Sequence, residues 1–377
     1  MLQRIYLDNA ATSFPKAPGV AEVMATYLLS NGANLGRGSY ESGYVVMEQV
    51  QQVREQLASL YGASDARLVT FSLNVTAALN VFITGMLNAG DHVLISGMEH
   101  NAVVRALVLH GITYSAISCD EIGRVRTELL PSLVTKKTKA LIITSASNVT
   151  GTIQPVAELG KLAHQYGLLV CVDTAQGSPN VDCKLASDCI DAIAFTGHKG
   201  LLGPTGTGGL VLSEQVASRI RPLIGGGTGS YSDQLTMSPT FPDRLEAGTQ
   251  NIVGILGLGK ALEFVDKQGS QAKKMTDRLL QYLVQDTRLR VIGSKHIEDR
   301  TATISINVLD SDNAQVAFEL SQGWGIETRV GLHCAPLAHA TMHTLQSGTL
   351  RFSPGYATTE DEIDKTIEAL QTVLSRT

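Results

Sequence analysis

Short, almost wholly apolar runs punctuate the first two-thirds of the chain. Residues 67–71 (RLVTF), 92–96 (HVLIS), 140–144 (ALIIT), 168–172 (LLVCV), 191–195 (DAIAF) and 209–212 (GLVL) are each about one strand long. Near-continuous apolar runs of this length predict strands buried on both faces. Between several of them lie helix-like stretches, such as 75–86 and 156–166. Strand–helix alternation predicts an α/β fold with a mostly parallel sheet covered by helices. After Gly248 the pattern changes. Residues 252–265 read as a long apolar helix, followed by helices mixed with shorter strands such as 303–308. The change predicts a large domain over 16–255 and a smaller α+β domain over 256–377, with about residues 1–15 folded back onto it.

Polar residues gather just beyond the predicted strands. Asn74 and Thr76 follow the first, Glu99, His100 and Asn101 the second, and Ser147 and Asn148 the third. Asp173 and Gln176 follow the fourth, and Thr196, His198 and Lys199 the fifth. Ligands of open α/β sheets bind outside the carboxyl ends of the strands, so the five clusters point to one shared site.

Composition narrows the partners. The net charge of −5 argues against nucleic acid and anionic membranes. No apolar run reaches membrane-spanning length and the N-terminus lacks a signal-peptide core, so a cytoplasmic protein is expected. The five cysteines are odd in number and lack CxxC spacing, which argues against a disulfide framework or a zinc ribbon. Four of them are expected to act as small apolar residues.

Two residues of the shared edge suggest specific chemistry. Asp173 ends a buried strand, where a carboxylate is costly unless paired. Lys199 is followed by glycine in TGHKG, just past another buried strand. A partly buried lysine has a lowered pKa and can form a Schiff base. Pyridoxal phosphate needs such a lysine for its aldehyde and an acid for its pyridinium nitrogen. Its phosphate needs a cradle, and Asn74-Val75-Thr76 opens a helix directly after a strand, where free N–H groups and the helix dipole favour an anion. Thr196 and His198 could add donors, and His100 could stack on the ring. GPTGTGG at 203–209 lacks the GK[ST] ending of a phosphate loop, so its glycines are read as permitting tight turns beside the lysine.

DTAQ at 173–176, TGHK at 196–199 and GPTG at 203–206 resemble the class V aminotransferase family, and more narrowly the cysteine desulfurases. YLDNAAT at 6–12, SNVTGTIQP at 147–155 and RLEAGTQN at 244–251 agree. RVGLHCA at 329–335 is similar to the RxGxHCA motif of the group II desulfurases, a type that includes SufS-like enzymes and selenocysteine lyases. Leu332 stands where a second histidine is frequent, and Arg37 lacks the histidine that often precedes it.

The resemblance implies pyridoxal-phosphate fold type I with a seven-stranded sheet. It implies that Lys199 bonds the cofactor, Asp173 pairs with the pyridine nitrogen and His100 stacks and moves protons. Gln176 and Asn148 would contact the ring oxygen or the substrate, and Val75, Thr76, Thr196 and His198 would serve the phosphate. Thr249 would reach the phosphate of a neighbouring subunit, which implies a homodimer with shared sites. Arg351, with Arg329, would hold the substrate carboxylate. Cys334 would take sulfur from L-cysteine as a persulfide, leaving alanine and passing the sulfur to an acceptor: a scaffold for iron–sulfur cluster assembly, a carrier protein for tRNA or cofactor thiolation, or a small thiol. L-selenocysteine is the alternative substrate, with other pyridoxal-dependent C–S lyases and a non-catalytic scaffold as rival readings. A positive charge on Arg329 or His333 would favour the thiolate. The cluster His333, Cys334, His339 and His343 also admits a zinc reading, but the desulfurase motif explains it better, so no metal is assigned.

Overall fold

A computed structural model describes residues 3–35, 40–265 and 271–376. Arg37 lies outside the described residues. The strands, in chain order, are β1 Ile5–Tyr6, β2 Val69–Ser72, β3 His92–Ser96, β4 Thr113–Ile117, β5 Thr138–Thr144, β6 Leu169–Asp173 and β7 Ala192–Thr196. They continue with β8 Gly208–Leu212, β9 Leu289–Ile292, β10 Ile304–Val308, β11 Ile326–Glu327, β12 Arg329–Gly331 and β13 Thr349–Phe352.

Seven of these form one sheet in the order β2-β8-β7-β6-β5-β3-β4. Strands β3, β5, β6 and β7 run parallel, as their unbroken apolar runs predict. Successive side chains serve opposite faces. Val170 and Val172 enter a core with Leu57 and Leu258, whereas Cys171 between them enters a second core with Leu79 and Phe82. The sheet is therefore covered on both sides.

Two strands depart from the expectation. β4, absent from the apolar runs, is an edge strand paired only with β3, and Thr113 and Ala116 on it are exposed. A strand with one open edge does not need a continuous apolar run. β8 runs antiparallel between β7 and β2. The segment from Thr196 to Gly208 holds no crossover helix, so the chain turns back at the same edge of the sheet. Glycine is required there: a Cβ on Gly209 would overlap the Thr70 carbonyl oxygen, and one on Gly208 would lie 2.7 Å from the Asn74 backbone.

A smaller antiparallel sheet, β12-β13-β10-β9, has its own core with helices Gln271–Gln285, Asn313–Trp324 and Glu360–Leu374. β1 pairs in parallel with β11, tying the start of the chain to this unit. Asp8 then bridges to Ser353, just past β13. The chain continues to the lysine loop, where Ser13 N–H donates to the His198 carbonyl at 2.9 Å. The first residues thus lie between the two sheets and touch both walls of the site.

Candidate active site

The predicted polar edge is one cavity of about 280 Å³. It is lined by Asn74, Val75, Thr76, His100, Asn148, Asp173, Gln176, Thr196, His198 and Lys199, among others. Thr249 is not among them. It lines a separate surface cavity with Leu73, Leu223 and Ile224.

At one end, Asn74 caps helix Val75–Met86. Its Oδ1 accepts from Ala77 N–H at 2.9 Å. No bond within the described protein is donated by the N–H of Val75 or Thr76, or by the Thr76 hydroxyl. A helix N-terminus with unclaimed donors attracts an anion. Across the cavity, Asp173 ends β6 and is 2% exposed. Its Oδ1 accepts from Ala175 N–H at 2.8 Å, and Oδ2 receives no donor among the described residues. Burial raises its pKa, so the acid awaits a cationic N–H partner.

Lys199 sits three residues past β7, with no hydrogen bond to its Nζ. Burial lowers its pKa to about 8, against the opposing pull of Asp173. His100 caps helix Asn101–Leu109, its Nδ1 accepting from Ala102 N–H at 3.0 Å. That bond leaves the ring proton on Nε2. Burial, with the charge of Lys199, pushes His100 down to about 4, so the ring is neutral. Gln176 donates from Nε2 to the Ala10 carbonyl at 2.9 Å.

Cys334, Arg329 and Arg351 are not among the residues lining this cavity; they form a second wall beside it, tied to it through the lining residue Asn148. Cys334 is the exposed cysteine among five free ones. It occupies a short connection between β12 and helix Pro336–Thr341. Asn101 N–H donates to the Cys334 carbonyl at 2.8 Å, and Asn148 Nδ2 donates to the His333 carbonyl at 2.7 Å. His333 and Cys334 both adopt left-handed backbone, at φ 48° and 57°. Two successive non-glycine residues in that region cost roughly 1–2 kcal/mol each, and the anchoring bonds offset it.

Of the two candidates for a positive charge beside the thiol, Arg329 and His333, the second is a neutral ring. Its Nε2 bonds Thr349 Oγ1 at 2.9 Å, the ring is 8% exposed, and burial pushes its pKa down to about 2. The positive charge comes from arginines. Arg329 and Arg351 face each other across β12 and β13, and Asp8 bridges them at 3.2 and 2.9 Å. Arg351 also donates Nη1 to the Asn148 carbonyl at 3.0 Å, while its Nε is buried without a partner. Arg329 is half-exposed.

Sequence reasoning assigned no role to three residues that shape this site. Asp8 bridges the arginine pair and offsets one of its two charges, and being the only acid among the first 21 residues could have marked it. Lys16 reaches the lysine loop. Glu99 is fully buried, its Oε1 accepting from Ser96 Oγ and Thr144 N–H while its Oε2 has no partner.

A sheet edge that unites a lysine of lowered pKa, a buried acid and an open helix N-terminus defines a fold and donor set shared with class V aminotransferases. A sequence model of that family, aminotransferase class-V, matches residues 5–366, and the chain belongs to this family. Among its relatives, a probable cysteine desulfurase of Methanothermobacter thermautotrophicus is 32% identical, over 98% of this chain and 94% of the relative. A cysteine desulfurase of Escherichia coli O157:H7 is also 32% identical, over 98% and 93%. The apo structure of a cysteine desulfurase from Thermococcus onnurineus superposes with a TM-score of 0.91 at 26% identity, covering 99% of this chain and 95% of that one. An S-sulfonic acid form of an Escherichia coli cysteine desulfurase gives 0.87 at 26% identity, over 98% and 94%.

Proposed function

We propose that the protein is a pyridoxal-phosphate-dependent cysteine desulfurase that converts L-cysteine to L-alanine and carries the sulfur as a persulfide on Cys334. The observation that carries this reading is an exposed thiol on a loop anchored to Asn101 and Asn148, beside the cavity that holds a lysine of lowered pKa. The residues fit the cofactor. Lys199 has a free Nζ for the aldehyde, Asp173 Oδ2 is open to a pyridinium N–H, and the N–H groups of Val75 and Thr76 suit the phosphate with Thr196 and His198. When bound, pyridoxal phosphate supplies an electron sink for cleavage at the substrate α-carbon.

The protein's own residues do the rest. Lys199, as the neutral amine, removes the α-proton. Neutral His100 lines the cavity with a proton on Nε2 and would stack on the cofactor ring. The arginine pair receives the substrate carboxylate, Arg329 offering the freer donors. Asn148 orients the cysteine loop through the His333 carbonyl. The Cys334 thiolate attacks the substrate sulfur: the S–S bond forms as the C–S bond breaks, and the released electron pair takes up a proton to give alanine. Because the loop is pinned, a sulfur acceptor has to approach Cys334.

We also propose a homodimer in which Thr249 serves the partner's phosphate site. Thr249 shares its surface cavity with the exposed Leu223 and Ile224, which supports this reading. The separate cores support two domains, 16–255 and 256–377 with about 1–15. Five free thiols suit a reducing compartment.

The test supplies cofactor-loaded protein with L-cysteine and a reductant, with L-selenocysteine in parallel, and measures alanine. Cys334→Ala is expected to lower alanine from cysteine by about a hundredfold or more, with the visible cofactor absorbance intact. Undiminished alanine in that variant would overturn the persulfide mechanism.

A further inference from the structure

The Lys16 ammonium lies 3.0 Å from the His198 carbonyl oxygen and 3.1 Å from both Thr12 Oγ1 and Ser13 Oγ. No carboxylate pairs with it among the described residues. Burial pushes it down to about 8. An ammonium withdrawn from water among neutral oxygens is costly, and its position beside the cofactor lysine gives it a use.

The use follows from counting protons. A carbonyl oxygen has two lone pairs. The His198 carbonyl meets four donors: Ser13 N–H at 2.9 Å, Lys16 Nζ at 3.0 Å, and the hydroxyls of Ser13 and Thr12 at 3.1 Å. The two nitrogen donors are nearest and fill it. The Thr12 oxygen accepts from Lys16 and lies 3.1 Å from both the His198 carbonyl oxygen and His198 Nδ1, so with the carbonyl filled its proton would go to Nδ1. A ring that accepts at Nδ1 holds its own proton at Nε2. His198 lines the cavity, and its Nε2 has no partner within the described protein.

We infer that Lys16 is a positioning residue: by claiming the His198 carbonyl and the Thr12 oxygen, it holds His198 as the Nε2–H tautomer and so presents an N–H to the cofactor phosphate. This rests on the proposed role of His198 at the phosphate. Without Lys16, the Thr12 hydroxyl is free to bond the carbonyl, Nδ1 becomes the donor, and Nε2 turns a lone pair toward the anion. The Tyr356 hydroxyl, bonded to the Lys16 carbonyl at 2.9 Å, fixes the backbone from which the ammonium reaches.

The experiment titrates apo-protein with pyridoxal phosphate and with pyridoxal, which lacks the phosphate, and follows visible absorbance. Lys16→Met is expected to weaken pyridoxal phosphate on the order of tenfold, the worth of one charge-assisted hydrogen bond, and to leave pyridoxal unchanged. Lys16→Arg is expected to restore the preference. Against a His198→Gln background, whose amide has no tautomer to set, Lys16→Met is expected to cost nothing further. Thr12→Val breaks the same relay and replaces Lys16→Met if that variant does not fold. Equal losses for both ligands, or no loss for either, would overturn the inference. If His198→Ala keeps the full preference for the phosphorylated ligand, the phosphate reading itself fails. If His198→Ala loses the preference while Lys16→Met keeps it, only the role of Lys16 fails.

Discussion

The lysine wall of the cavity and the cysteine wall beside it control charge by different means. The lysine wall stands on the ends of strands buried on both faces, and desolvation governs it. Burial lowers Lys199 to about 8 and both His100 and His198 to about 4, and it raises Asp173. On the cysteine wall burial also acts, pushing His333 and Arg351 down, but the arginine charge there is compensated by a carboxylate. Arg329 and Arg351 remain cations on adjacent strands because Asp8 lies between them. A reaction that needs a neutral amine on one side and a carboxylate-binding cation on the other calls for this asymmetry. Desolvation releases the amine's proton, whereas the ion pair keeps the guanidinium paired until a substrate carboxylate competes for it.

The largest expected effect breaks the compensated wall. Asp8→Ala leaves two arginines facing each other with no anion between them. Breaking a buried pair by removing one partner costs about 3–5 kcal/mol, and here the lower end is expected because Arg329 is half-exposed. Denaturant unfolding should register the loss. In the folded fraction, single-turnover persulfide formation should fall more than cofactor affinity. Equal falls would show that the two walls are not independent.

A middle-sized effect tests the desolvated wall. The rate at which apo-protein bonds pyridoxal phosphate should rise with pH and reach half its maximum near 8, because the neutral amine attacks and Lys199 loses its proton at about 8. A midpoint near the ordinary lysine value of 10.5 would show that burial does not tune this amine.

The two walls also differ in how far the sequence disclosed them. Asp173, His100, Thr76 and Lys199 each follow an unbroken apolar run, so the strand period and the rule for ligands at sheet edges were enough to bring them together. The antiparallel course of β8 was hidden, because an apolar run says that a strand is buried and nothing about its direction. The cysteine wall was legible only through the resemblance of RVGLHCA. Its physical basis joins Asp8 to Arg351 across 343 positions and Asn148 to His333 across 185. No local spacing encodes such contacts. The choice between Arg329 and His333 was hidden for the same reason: a histidine next to a cysteine is as good a candidate for a charge as an arginine until Thr349 and the surrounding core are in place.

The smallest effect sharpens the comparison beneath the lysine wall. Glu99 is fully buried beside β5 and feels the negative charge of Asp173. Burial raises its pKa from 4.5 to about 8. Between those values the folded protein holds a proton that the unfolded chain has released, so the wild type loses stability as pH rises and levels off above about 8. Glu99→Gln is neutral at every pH and can still accept from Ser96 and Thr144 through its carbonyl oxygen. Its melting temperature should therefore gain on the wild type with pH, by about 2–4 °C per kcal/mol of difference, with the largest gap near pH 9. The readout is thermal unfolding of the apo-protein from pH 5 to 9. Parallel pH curves for variant and wild type would mean that Glu99 is ionised in the folded state, and that desolvation does not dominate this wall as its other residues indicate.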